Sequence, residues 1–145
     1  AGLPVLDAVC LETLRLHPPV PIVLRTLTEP WRWRGVDLAA GQTIGLAVGV
    51  LHSRAATWPA PRLFHPDRFL DRKFSPFEYA PFGGGHRRCL GATLAEYELR
   101  IVLATVLTTV RLRLVPALAL GGRPRSVPRN LASGPDRAIQ FTLAQ

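Results

Sequence analysis

Residues Phe82 to Gly91 read FGGGHRRCLG. These positions hold four glycines, the basic-type side chains His86, Arg87 and Arg88, and Cys89, one of two cysteines in the chain. The stretch leads into ATLAEYELRIVLATVLTTV, Ala92 to Val110, the strongest helical pattern in the sequence. Cys89 therefore stands just before a helix N-terminus, where unpaired N–H groups and partial positive charge favour an anion. With Arg87 and Arg88 beside it, the thiolate is the expected form. Gly83 to Gly85 let the backbone turn tightly, and Gly91 lets another group approach the helix start closely.

The use of such a thiolate narrows by elimination. A phosphatase loop needs an arginine six residues after its cysteine, and Ala95 stands there. No CxxC redox pair occurs. The glycines do not fit GxGxxG, because Arg88 occupies the third glycine position, and no Gly-Lys follows. Cys10 and the four histidines form no zinc-ligand pair of the usual spacing. Two readings remain. One is a buried cysteine in a glycine-rich turn. The other is a lone sulfur on a metal whose other ligands are not protein, as in a haem iron with its four porphyrin nitrogens.

The whole chain bounds the choice. Its 145 residues, 48% hydrophobic and 19% charged, suffice for one domain with a core. No apolar run approaches a membrane span, and Ala1 to Pro4 has no basic signal region. Methionine is absent, and LPVLDAVCLETLRLHPP, Leu3 to Pro19, starts a helix almost at once, so the chain reads as a fragment. The net charge of +8 comes from scattered arginines and the single lysine, Lys73. No basic run interleaves with aromatics, so nucleic acid is set aside as a partner. Two distant cysteines fit a reducing cytosol. Abundant arginine, alanine and leucine with scarce lysine point to a high-GC bacterium.

Pro4 to Leu16 reads as a helix, with Pro4 at its start and Leu6, Val9, Cys10 and Leu14 on one apolar face. His17-Pro18-Pro19 ends it. Val20 to Leu27 reads as extended, and Trp31 to Val36 and Thr43 to Val50 as strands, with a turn at Ala40 to Gln42. Trp58 to Pro81 combines prolines with large aromatics, which predicts an ordered meander. Gly91 to Val110 is a helix with a Glu96–Arg100 pair; beyond Ile101 it is apolar on nearly all sides, which predicts burial. Arg111 to Val115 and Ala138 to Leu143 read as strands, and Gly121-Gly122 and Gly134-Pro135 as turns.

The pattern Phe82-x-x-Gly85-x-Arg87-x-Cys89-x-Gly91 resembles the haem-binding signature of the cytochrome P450 monooxygenases. Glu12-Thr13-Leu14-Arg15 resembles the family's Glu-x-x-Arg motif. Phe64-His65-Pro66-Asp67-Arg68-Phe69 resembles its meander motif, with Asp67 where glutamate is commoner. The three stand in the family's order. The resemblance implies an α+β, mostly helical cytochrome P450 fold. Residues 1–145 would be its C-terminal haem-thiolate portion: K-helix region, small sheet, meander, Cys loop, long L-type helix and terminal hairpin.

The resemblance also implies roles. Cys89 is the axial iron ligand of haem b, and thus the catalytic and metal-binding residue. Arg25 and Arg87 pair with the haem propionates, Phe82 packs near the sulfur, and Gly85 and Gly91 supply loop geometry. Glu12, Arg15 and Arg68 form a buried structural network. Val20, Ile22, Val23 and Leu131, with Ala132, fall where the family's chain touches substrate; their aliphatic character suits a small apolar organic molecule. His17 and His52 read as ordinary hydrogen-bonded histidines.

The implied activity is insertion of one oxygen atom of O2, using electrons from an acidic partner (a ferredoxin or flavoprotein reductase). Arg72, Lys73, Arg87 and Arg88 would form the docking face. The GGGHRRC form resembles bacterial soluble members, which implies a cytoplasmic location; any membrane anchor of a parent chain would lie upstream. The family's oxygen-activating helix has no counterpart here, so the fragment is expected to be inactive alone. The alternative is a non-catalytic truncated remnant that at most binds haem. The intact motifs favour the enzyme.

Overall fold

A computed structural model describes residues 3–115, 125–129 and 132–143. The first helix, α1, spans Pro4–Leu16, with Pro4 in its first turn and the Thr13 carbonyl accepting from His17 N–H at its end. Its buried face is more polar than the apolar pattern suggests: Glu12 and Arg15 are buried alongside Ala8, Cys10 and Leu14.

Strand β1 (Ile22–Thr26) pairs antiparallel with β4 (Thr43–Ala47), Ile22 opposite Ala47 and Arg25 opposite Ile44. Between them, β2 (Trp31–Trp33) and β3 (Val36–Leu38) form a hairpin. The single strand expected over Trp31 to Val36 is thus broken by a turn. Arg34 and Gly35 both have positive φ, 50° and 83°, as a two-residue hairpin matched to strand twist requires.

The strand expected over Thr43 to Val50 also stops early. Val48 N–H donates to the Pro21 carbonyl at 2.8 Å, the Val48 side chain is fully buried, and Val48–Leu51 turns into a short helix, α2. That turn brings His52 into the core.

The meander is ordered, as its aromatics predict. Trp58, fully buried, stacks on Phe74 at 4.1 Å, and Phe69 contacts both Phe74 and Tyr79 at 5.1 Å. One helical turn, α3 (Arg68–Asp71), interrupts it and packs on α1.

Helix α4 (Ala92–Thr109) follows the cysteine loop and packs on α1, where Arg100 Nε lies 2.6 Å from Asp7. The expectation that it is buried is not met. Ala92 is its one buried residue among those described, while Leu94, Tyr97, Ile101, Val102 and Leu107 are exposed. Only one side of the helix meets α1, so its other apolar positions face outward.

At the end of the chain, β5 (Leu112–Leu114) pairs with β8 (Phe141–Leu143), and β6 (Ser126–Arg129) pairs with β7 (Ala132–Pro135). Gly134 and Pro135, expected in a turn, lie in β7, paired with Val127 and Ser126. Gly121-Gly122 and Leu131 lie outside the described residues.

Candidate functional site

The site is built from the buried ion network outward. Arg15 uses all five of its N–H donors. Its Nε and Nη2 hold the Glu12 carboxylate at 2.6 and 2.8 Å, Nη1 reaches the carbonyls of His52 and Pro61, and Nη2 also reaches that of Leu63. Glu12 Oε1 further accepts from His65 N–H at 2.9 Å and Arg68 Nε at 3.3 Å. Burial alone would raise the Glu12 pKa. The Arg15 and His65 hydrogen bonds and the two guanidinium charges outweigh it and hold the carboxyl below its ordinary value. Asp67 takes no part in this network: it is exposed and faces His65 Nδ1 at 3.7 Å. Glu12, Arg15 and Arg68 are thus brought together, and the meander is tied to α1 through them.

The meander delivers the chain to the cysteine loop. Gly83 N–H donates to the Ala80 carbonyl at 3.0 Å, and Gly83 and Gly85 take φ values of +74° and +63° that favour glycine. A 3-10 turn covers Gly85–Arg87, and the Cys89 N–H closes the loop on the Phe82 carbonyl at 3.0 Å. Cys89 is a free, exposed cysteine three residues before α4, and its carbonyl accepts from Ala92 N–H at 3.3 Å. A Cβ added at Gly91 would come within 3.8 Å of the Cys89 sulfur, so glycine keeps that flank clear.

The basic residues around the loop divide. Arg88 leans toward Glu96 at 4.0 Å, and Glu96 also meets Arg100 at 3.5 Å, as the helical spacing predicts. Arg72 is occupied by Glu78 at 2.9 Å and lies over the Phe74 ring. The Arg87 guanidinium and the Lys73 ammonium have no hydrogen-bond or ion-pair partner among the described residues. A hollow of about 200 Å³, lined in part by Phe82, Gly83, Arg88 and Glu96, lies between meander and α4.

These features suit a haem iron. No group of three or more His, Cys, Asp and Glu side chains that could hold a metal occurs among the described residues, and a haem iron brings four nitrogen ligands of its own. The sulfur stands at the open side of a closed backbone loop, with an unpartnered guanidinium two residues away for an acidic substituent.

On β1, side chains alternate between faces. Ile22 and Leu24 lie together over Gly45, whose absent Cβ would meet them at 3.3 and 3.0 Å. Val23 and Arg25 share the opposite face. Arg25 is exposed, its Nη1 bonded to the Leu24 carbonyl at 2.7 Å. Val20 and Ile22 are exposed and Val23 is half-buried. The β6–β7 hairpin is fastened beside them: Ser133 N–H and Oγ donate to the carbonyls of Pro19 and Pro18 at 2.7 and 2.9 Å.

His52 is hydrogen-bonded, as the sequence reading expected, but its partners were not foreseen. It is 1% exposed and joins α1 to the meander through both ring nitrogens. Its partners lie 37 and 28 residues away, so no local pattern marks it.

The cytochrome P450 family profile matches residues 1–121. A Mycobacterium tuberculosis sequence assigned to cytochrome P450 type 135B1 is 45% identical over 125 residues, covering 86% of this chain and 26% of its own length. Thromboxane-A synthase of Macaca fascicularis is 35% identical over 145 residues, covering 98% of this chain and 27% of its own length. Among solved structures, retinoic acid-bound cyanobacterial CYP120A1 superposes with a TM-score of 0.85 at 27% identity, covering 98% of this chain and 33% of that one. The chain thus spans about a quarter to a third of the length of these relatives. On the profile match, the relatives and the shared fold, the chain belongs to the cytochrome P450 family.

Proposed function

We propose that this chain is the thiolate-side portion of a haem-dependent monooxygenase and that Cys89 would hold its iron. Haem b is the cofactor of the family. When bound, it would supply the redox chemistry for placing one oxygen atom of O2 in an organic substrate. The observation that carries this reading is the loop itself: an exposed, free sulfur held by the Cys89–Phe82 backbone bond, with Gly91 keeping its flank open.

The chain's own residues divide the remaining work. Arg87 and Arg25 pair with the propionates. Phe82 covers the sulfur side, and Gly85 permits the turn. Val23, on the same strand face as Arg25, meets the substrate, with Val20 and Ala132 of the hairpin beside it; Leu131 is a further contact proposed from its sequence position alone. Ile22 lies on the other face of β1 and contributes through packing. The retinoic acid of the structural relative, an elongated apolar acid, is in keeping with such a wall. An acidic electron-transfer protein docks through Lys73, which has no ion-pair partner among the described residues. The exposed face of α4 packs against further chain of the kind the longer relatives possess, so turnover requires more than residues 1–145.

Replacing Cys89 by serine is expected to abolish the thiolate-type absorption of the reduced carbon-monoxide complex in the haem-loaded protein. A variant that kept that spectrum would remove Cys89 from the site.

A further inference from the structure

His52 is the one buried imidazole among the described residues, and its two ring nitrogens have unlike partners. Nδ1 lies 3.1 Å from the Arg15 carbonyl, which can only accept. Nε2 lies 2.9 Å from the Ala80 N–H, which can only donate. The ring is therefore the neutral Nδ1–H tautomer, donating on one side and accepting on the other. The Arg15 carbonyl belongs to the last turn of α1, where helix carbonyls lack intrahelical partners. The tie is reciprocal, because Arg15 Nη1 donates to the His52 carbonyl at 2.8 Å. The imidazole also stacks on Tyr79 at 5.2 Å, and the Tyr79 hydroxyl donates to the Leu11 carbonyl at 2.9 Å. Tyr79 and Ala80, adjacent in sequence, are thus fastened to carbonyls one helical turn apart on α1.

Ala80 opens the route to the cysteine. Its carbonyl accepts from Gly83 N–H, and the Phe82 carbonyl accepts from Cys89 N–H. We propose that His52 is a positioning residue for the iron-binding loop: it clamps the end of α1 to the Ala80 amide and so fixes where Phe82 to Gly91 leave the core. The link to iron rests on the assignment of Cys89 above; the clamp itself does not. No other side chain bonds the Ala80 amide among the described residues, so the loop's entry depends on one acceptor lone pair.

Two substitutions separate the ring's two bonds. Asparagine places its amide near the Nδ1 position and retains only the bond to Arg15. Glutamine extends to the Nε2 position and retains the acceptor for Ala80. Amide hydrogen exchange of the haem-free protein at Ala80, Gly83 and Cys89 reads the clamp, and titration with haemin reads its consequence. His52→Asn is expected to speed exchange at all three amides by about tenfold or more, the scale of a lost buried hydrogen bond, and to weaken haemin binding. His52→Gln is expected to stay close to wild type in both.

Faster exchange at Ala80 alone, with Gly83 and Cys89 unchanged, would overturn the proposal. So would glutamine behaving like asparagine. If His52→Asn opens the whole chain, His52→Gln decides: native exchange at the three amides supports the clamp, and its loss refutes it. A wild-type protein that took no haemin through Cys89 would defeat the ligand assignment, while the exchange data would still decide the clamp.

Discussion

Glu12 and Arg15 occupy the most protected positions of α1, and they are charged. Taking such a pair out of water is costly, and only the complete set of donors and acceptors around it offsets that cost. Glu12→Gln would leave Arg15 and Arg68 buried without their counter-charge. Urea unfolding should show a loss of about 3–5 kcal/mol, the range for breaking a buried pair. A loss below about 1 kcal/mol would mean that the network contributes no more than a surface pair.

His52 adds a pH dependence. Burial, and secondarily the Arg15 charge, push its pKa down from 6.5 to about 4, against the opposing pull of the Arg15 carbonyl. The groups around it are Arg15 from α1 and Tyr79 and Trp58 from the meander, with Glu12 beyond Arg15. The unfolded chain therefore takes up this proton first as pH falls. The contribution is fully present above the ordinary histidine value and is lost between about pH 6.5 and 4, to a total of about 3 kcal/mol. Stability measured across that window should slope accordingly in wild type and flatten in His52→Gln. Glu12, held low, adds its own loss only under more acidic conditions.

At the scale of elements, what the sequence discloses follows from how local the cause is. Pro4–Leu16 has its stop signal in His17-Pro18-Pro19, and its bounds agree with the reading. The Arg34-Gly35 hairpin was hidden because arginine is an unusual residue at positive φ. The turn into α2 was hidden because Val48 is captured by the Pro21 carbonyl, a contact made by folding. Helix α4 was expected to be buried because composition reports what a helix could bury, not which neighbours it has.

The terminal hairpin shows the same dependence on distant partners: Ser133 holds it to Pro18 and Pro19. Ser133→Ala removes the hydroxyl bond and should lower the protection of β6 and β7 amides by about 0.5–1.5 kcal/mol, leaving α1 unchanged. Equal loss in α1 would show that the hairpin is part of the main cooperative unit.

Over the whole molecule, apolar side chains of α4 lie on the outside, and the chain carries a largely arginine net charge of +8, with Arg15 and Arg68 buried. Contiguous exposed apolar surface marks an interaction site. The relatives are three to four times longer, and more chain of that kind would have this face to cover. We propose a separate use for the charge. With Arg72 and Arg88 turned toward acids of their own chain and Arg87 proposed for a propionate, Lys73 is the cation we propose for an acidic electron donor. Reduction by such a donor should slow as salt rises, and Lys73→Glu should slow it further at low salt. Rates independent of salt would place docking elsewhere. The Cys89 loop was readable because its chemistry lies within ten residues; the clamp, the hairpin seat and the bare helix face were not, because each depends on residues far along the chain.

We propose that Cys89, one of the two cysteines, holds the iron. X-ray absorption at the iron edge of the haem-loaded protein tests it, with Cys89→Ser and Cys10→Ser beside the wild type. A single sulfur neighbour in wild type, kept in Cys10→Ser and lost in Cys89→Ser, is the result expected. Sulfur retained in Cys89→Ser, or none in the wild type, would rule out Cys89 as the iron ligand.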